Sequence, residues 1–168
     1  MKLSLNASNK IFVDGHFARA TIGKNGIGKK LSEGDYITPI GRFYLRCLMY
    51  RADRYPPPET QLHAKKIQTN DGWCTDPEDP HYNKPIKLPF SKSHEIMWRE
   101  DHLYDFVIPL SYNDEKVIPG AGSAIFIHLA SPDLKPTAGC IGVEIQTMGK
   151  ILQSYKVGDW ITVGDVKG

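Results

Sequence analysis

This sequence predicts a mostly β fold: a sandwich or barrel-like sheet with one or two short helices and a long irregular insert. Three observations carry that expectation. The 168 residues include 15 glycines and 12 prolines, which punctuate short elements, together with 3 tryptophans, 8 tyrosines and 6 phenylalanines, which strands favour. Apolar residues alternate with polar ones at a period of two along much of the chain, whereas a helical period is sustained in one place only. The length and a hydrophobic content of 40% match one globular domain over residues 1–168 with a sizeable core.

Leu3 and Leu5, then Ile11 and Val13, alternate about the turn material Asn6-Ala7-Ser8-Asn9 and predict a hairpin. Asp14-Gly15 is a type I′ turn signal, so Phe17 to Ile22 continue the meander as a third strand. Gly23 to Gly34 reads as a loop. Residues 41–50 set Phe43, Leu45, Cys47 and Met49 against Arg42, Tyr44, Arg46 and Tyr50, the pattern of one half-buried strand. Periodicity then fails from Arg51 to Asp101, where Pro56-Pro57-Pro58, Pro77, Pro80, Pro85 and Pro89 are interleaved with Trp73, His81, Tyr82 and His94. Long structureless loops in compact domains are usually functional, and disordered segments are poor in aromatics, so this insert is expected to form an aromatic-rich substrate wall.

Strands resume at Tyr104 to Leu110, Ser123 to Leu129 and Cys140 to Ile145, the middle one apolar enough to be central. Thr147 is placed to cap a helix in which Met148, Ile151, Leu152 and Tyr155 share a face. Val157-Gly158-Asp159 ends that helix and Trp160 to Val163 forms a last strand.

Several function classes fall away on charge and composition. Lysine plus arginine total 21 against 19 acids, without the basic stripe that a phosphate backbone requires, so nucleic acid is not an expected partner. The longest apolar stretch, Ala124 to Ala130, is far short of the ~20 residues that span a bilayer, so no membrane association is expected. Met1 to Asn6 shows no apolar signal region, and Cys47, Cys74 and Cys140 are an odd set at wide spacing; both features suit a reducing, cytoplasmic setting. His63, Cys74, His81, His94 and His102 match no metal-ligand spacing, and neither metal nor cofactor is expected.

Chemistry concentrates near the C-terminal third. His128 ends an apolar strand, and Cys140 follows twelve residues later behind Gly139. A cysteine thiolate is a nucleophile, a histidine in reach can take its proton, and amides around a glycine can hold an oxyanion. The spacing does not by itself separate such a pair from a buried, inert cysteine.

These residues resemble the YkuD-type L,D-transpeptidases. Gly34-Asp35-Tyr36-Ile37-Thr38-Pro39-Ile40-Gly41-Arg42-Phe43 resembles the family's Thr-Pro-x-Gly segment. His128 followed by Thr137-Ala138-Gly139-Cys140 resembles its histidine and Ser/Thr-x-Gly-Cys signature. The insert resembles a branch of small stand-alone members through Asp71-Gly72-Trp73-Cys74, Tyr82-Asn83, Ser93-His94-Glu95, Trp98-Arg99, Asp101 and Tyr104-Asp105. Where many members carry a second histidine before Gly-Cys and an Arg or Asn two places after the cysteine, this chain has Ala138 and Gly142.

The resemblance implies a YkuD catalytic fold and acyl transfer on peptidoglycan stem peptides, at the bond between the L-centre of diaminopimelate and the terminal D-alanine. Cys140 is then the nucleophile, His128 the general base and acid, and Thr137 and Gly139 stand with the Cys140 amide near the oxyanion. His94 and Arg99 are the replacements expected for the missing polar groups, with Tyr82 and Trp73 on the substrate wall; Arg99 also suits a plain ion pair with Asp101. Water as acceptor gives an L,D-carboxypeptidase, the expectation for a cytoplasmic enzyme trimming tetrapeptides during wall recycling. An amine acceptor gives a transpeptidase. A reading of another class is a catalytically silent module that binds wall peptides through Trp73, Tyr82 and Trp98.

Overall fold

The computed structural model describes residues 3–165. Among the described residues, fifteen strands and one helix follow each other. The first three strands, β1 (Leu3–Leu5), β2 (Lys10–Val13) and β3 (His16–Thr21), form the expected antiparallel meander. Asp14 and Gly15 both take positive φ, 44° and 87°, as a type I′ turn requires. The expected loop after Gly23 contains β4 (Ile27–Gly28), which pairs in parallel with β5 (Thr38–Pro39).

Residues 41–50 do not make one strand. They form β6 (Gly41–Tyr44) and β7 (Leu48–Tyr50), because the chain changes partners between them. At this corner Leu45 N–H donates to Asp159 O and Arg46 N–H to Pro109 O, which lie on different parts of the sheet. Alternation also breaks there, and Tyr50, expected to face outward, is buried.

The 51–101 insert is more regular than its composition suggests. It contributes β8 (Ala64–Lys66), parallel to β7, and a separate sheet from β9 (Asp71–Cys74), β10 (Pro85–Lys87) and β11 (His94–Ile96) in the order β10-β9-β11. Strands this short carry too little alternation to show in the sequence. After it come β12 (Phe106–Pro109), β13 (Phe126–Leu129), β14 (Ile141–Val143), α1 (Ile145–Ser154) and β15 (Trp160–Val163).

One ten-stranded sheet runs β6-β15-β1-β2-β3-β14-β13-β12-β7-β8. Since β6 and β7 are joined by three residues yet lie far apart in that order, the sheet must curl back on itself. A core led by Leu3, Leu5, Ile11, Leu48, Ile108, Ile127, Ile141 and Ile161 fills the inside of the curl, closed by Met148, Ile151, Leu152 and Tyr155 of the helix segment. Thr147 lies buried within α1, and its hydroxyl does not cap it; the N-cap is Glu144, which makes no side-chain cap bond. On the opposite face the insert packs Ile67, Trp73 and Met97 against Met49, Val107 and Phe126. Strands β12 and β13 are therefore buried on both faces, which is why their sequences read as unbroken apolar runs.

One row crosses three strands: His128 pairs with Gly142, and Gly142 with Thr21. A methyl group on Gly142 would stand 2.1 Å from Thr21 Oγ1 and 3.2 Å from Ala130 Cα, so this position excludes the Arg or Asn common in the resembling family. Gly142→Ala is expected to lower stability in chemical denaturation by about 1–3 kcal/mol, the usual cost of overpacking. Adding Thr21→Ala should recover part of that loss. An unchanged midpoint for Gly142→Ala would show that the neighbours give way freely.

Candidate active site

The parallel pairing of β13 with β14 brings Cys140 and His128 to one place. Cys140 precedes Gly142 by two residues, so with alternating side chains it faces the same side of the sheet as Gly142's partner His128. It is offset from it by about 6–7 Å along the strand direction. Both side chains line one cavity of about 370 Å³, with Thr21, Lys30, Glu33, Glu95, Arg99, Tyr104 and Thr137 also on its walls.

The thiol is held from two sides. Cys140 Sγ donates to Ala124 O at 3.0 Å and accepts from Phe126 N–H at 3.4 Å. Burial pushes its pKa up to about 12, with Glu95 adding to the rise while the Phe126 amide and the Lys30 ammonium oppose it. His128 is buried, and its Nδ1 donates to Leu129 O at 2.7 Å, which fixes the tautomer with Nε2 as the unprotonated nitrogen. Burial brings its pKa down to about 4, the Leu129 carbonyl opposing. At neutral pH the resting pair is accordingly thiol and imidazole. They share no hydrogen bond in this state, since the thiol proton points at Ala124 O; catalytic hydrogen bonds often tighten only when substrate is bound.

The turn before Cys140 is organised by Thr137. Its hydroxyl donates to Cys140 O at 2.6 Å and accepts from Gly139 N–H at 3.1 Å. Gly139, at φ 140°, takes a conformation that L side chains rarely adopt, and a methyl group there would stand 2.9 Å from Ile37 O. Thr137 and Gly139, expected near the oxyanion, thus stand in the turn that carries Cys140, with these two polar groups bonded within it. The amides of Ala138 and Cys140 are the other backbone donors of this turn.

Insert residues named from the sequence divide into two sets. Arg99 lines the cavity; its guanidinium is also held bidentately by Asp101 at 2.8 and 2.6 Å and lies 5.0 Å from the centre of the Tyr104 ring. Trp73, Tyr82 and His94 do not line it. Trp73 is only 8% exposed, donates from Nε1 to Asn83 Oδ1 and packs edge-on against Phe126. Tyr82, 2% exposed, donates to Glu33 Oε2 and accepts from Gly122 N–H. Large aromatics here serve the interlayer core that supports the 122–124 segment, rather than a surface wall. His94 sits on β11, its Nδ1 against Lys92 O and its ring against Phe90.

Other cavity residues were not legible as such. Tyr104 packs edge-on against the His128 ring, 5.4 Å between centroids, and its hydroxyl donates to Glu95 Oε2. Thr21 Oγ1 is buried without a hydrogen-bond partner. Lys30, whose side chain is 3% exposed, lies in a segment that reads as an ordinary loop; its spacing of five from Asp35, its ion-pair partner at 2.6 Å, was the one available signal. Among the described residues no three of His, Cys, Asp and Glu gather as a metal site, and no helix is long and apolar enough to cross a membrane.

A family model described as the YkuD L,D-transpeptidase catalytic domain matches residues 7–163. No curated protein sequence matches the chain. Similar solved structures include the helical cell shape determining protein Pgp2 from Campylobacter jejuni, at a TM-score of 0.48 and 16% identity over 99% of this chain and 48% of that one. L,D-transpeptidase 1 from Mycobacterium tuberculosis gives 0.42 and 14%, over 98% of this chain and 61% of that one. The L,D-transpeptidase from Mycobacterium smegmatis gives 0.42 and 15%, over 96% and 57%. This chain thus spans about half to three-fifths of the length of the structures it matches.

The depressed His128 pKa has a stability consequence. Between the folded value of about 4 and the ordinary 6.5, the unfolded chain binds the extra proton, so stability is fully present above 6.5 and falls as pH drops towards 4. The loss amounts to about 3 kcal/mol. His128→Gln should remove this part of the acid dependence in denaturation curves taken at pH 7 and pH 4. An unchanged acid arm in the variant would contradict the buried neutral imidazole.

Proposed function

The chain belongs to the YkuD family of L,D-transpeptidase catalytic domains, and on that premise we propose that it is a cysteine acyl-transfer enzyme acting on peptidoglycan stem peptides. We infer further that water is its normal acceptor, making it an L,D-carboxypeptidase that releases D-alanine from diaminopimelate tetrapeptides in the cytoplasm. The observation that carries the reading is one shared cavity: an imidazole on β13 and a thiol just before the parallel strand β14, with Nδ1 pinned by Leu129 O and Nε2 left as the base.

From this geometry the reaction runs as follows. Substrate enters the cavity and the Sγ–H turns from Ala124 O towards His128 Nε2. Sulfur attacks the carbonyl carbon of the diaminopimelyl–D-alanine bond as Nε2 takes the thiol proton. Negative charge that develops on the carbonyl oxygen meets the open amide of Cys140. Collapse of the tetrahedral species expels D-alanine, which takes the proton from His128, and leaves a thioester. Water, deprotonated by the same imidazole, attacks the thioester carbon; collapse breaks the C–S bond, sulfur takes the proton back from His128, and the tripeptide leaves. A pair that starts neutral creates charge only as the bond is attacked, so the buried site need not hold a resting thiolate–imidazolium pair.

Hydrolysis fits the size of the site. A volume of about 370 Å³ lies at the small end for small-molecule pockets. A donor stem fills much of such a site and leaves water as the acceptor that enters most easily. Arg99, at the cavity wall with guanidinium hydrogens beyond those given to Asp101, suits the terminal D-alanine carboxylate.

Incubating the protein with a diaminopimelate tetrapeptide, with and without excess of a second D-amino acid, tests the reading by mass spectrometry. Tripeptide and free D-alanine should dominate in both cases. Dominant exchange or cross-linked dimer would replace the hydrolase reading by the transpeptidase one. Cys140→Ala should abolish all products in a folded protein, whereas Cys47→Ala and Cys74→Ala should affect stability alone. Binding without turnover by the wild type would favour the silent module.

A further inference from the structure

The segment before Thr38-Pro39 carries a lysine into the active cavity. Lys30 is buried to 3% exposure of its side chain, and its ammonium donates to Asp35 Oδ1 at 2.6 Å and to Ile37 O at 3.3 Å. An ammonium has three hydrogens, so one remains. The stem passes between two glycines of positive φ. A methyl group on Gly122 would stand 2.3 Å from Lys30 Cε, and one on Gly139 would stand 3.6 Å from Lys30 Nζ. At Gly122 only a residue without a side chain clears this path, which ends in contact distance of Gly139, in the turn that presents Cys140.

That turn offers the backbone amides of Ala138 and Cys140 but no charged donor. Gly139 N–H is spent on Thr137 Oγ1, and Thr137 Oγ1–H on Cys140 O. Neither Ala138 nor Gly142 has a polar side chain to offer. We propose that Lys30 is a further catalytic residue, its ammonium completing the oxyanion site that the Cys140 amide begins. As the Sγ–C bond forms and the carbonyl electron pair moves onto oxygen, the third Nζ–H donates to that oxygen. The proton lost by sulfur goes to His128, and the leaving group takes it when the tetrahedral species collapses. Asp35 fixes the ammonium in place and is itself fixed. Burial alone raises its pKa, but Lys30 and the amides of Leu31, Ile37 and Ser32 outweigh it and bring the carboxyl down to about 2. Lys30 also lies close enough to favour the Cys140 thiolate, so its action on the oxyanion must be separated from its action on sulfur.

This inference rests on the acyl-transfer reading but not on the identity of the peptide, and the test uses probes that keep the two apart. Acylation of Cys140 by p-nitrophenyl acetate passes through an oxyanion, whereas alkylation by iodoacetamide does not; both need the thiol proton removed as sulfur attacks. Rates for each are read at pH 9 by adduct mass, located at Cys140 by peptide mapping, in wild type, Lys30→Met and Lys30→Met/Asp35→Asn. The double variant leaves no unpaired carboxylate where loss of the lysine alone could disturb the loop. The expected result is acylation slower by on the order of 10²-fold in both variants, with alkylation little changed. Equal slowing of both reactions would assign Lys30 to the thiolate and overturn the oxyanion role, as would acylation at the wild-type rate. A wild type that is acylated by the ester yet inert towards the tetrapeptide would overturn the substrate reading and leave the Lys30 comparison standing.

Discussion

The parallel pairing of β13 with β14 is the constraint on which the rest of the site depends. It aligns Ile127 with Ile141 and His128 with Gly142, and so decides that Cys140 and His128 share a face. A slip of one residue would turn one of the two side chains into the opposite core. Burial on both faces prevents that slip, because Phe126 and Ile127 each fill a different hydrophobic cluster. The insert is thus more than an addition to the rim: its Trp73 and Met97 help form the cluster that keeps β13 in register.

The same burial sets the chemistry. A thiol near 12 and an imidazole near 4 have been moved apart by desolvation, in the directions that keep both neutral. Positioning then has to supply what a preformed ion pair would otherwise provide. Ala124 O and Phe126 N–H hold the sulfur, and Leu129 O holds the imidazole. Ala124 is itself fixed through its amide to Asn83 Oδ1, an oxygen that also accepts from Trp73 Nε1. Asn83 sits in the left-handed region, at φ 59°, a conformation that asparagine tolerates better than most residues. A chain of bonds therefore runs from the insert to the sulfur.

Strands with clear alternation or unbroken apolar runs were legible in the sequence, as the β1–β3 meander and the doubly buried β12 and β13 show. The buried helix face was legible too, through Met148, Ile151, Leu152 and Tyr155. The sheet within the insert was hidden because strands of three or four residues beside prolines carry almost no period. The corner at Leu45 to Cys47 was hidden because changing partners leaves composition unaltered. At the site, the motif residues Cys140, His128 and Thr137 stood out by type and spacing. Trp73 and Tyr82 were misplaced because aromatic content does not distinguish a wall from the packing behind it. Lys30 and Glu95 escaped because what matters about each is its place beside Cys140, which is distant in sequence.

The central claim is that His128, rather than bulk hydroxide, takes the proton from a thiol that is protonated at rest. The pH dependence of single-turnover acylation of Cys140 tests it most directly, comparing wild type with His128→Gln. The account predicts a wild-type rate that falls only as pH drops towards 4 and is level through neutrality, with a variant rate that climbs tenfold per pH unit towards 12. A wild-type rate that climbs in parallel with the variant would contradict it.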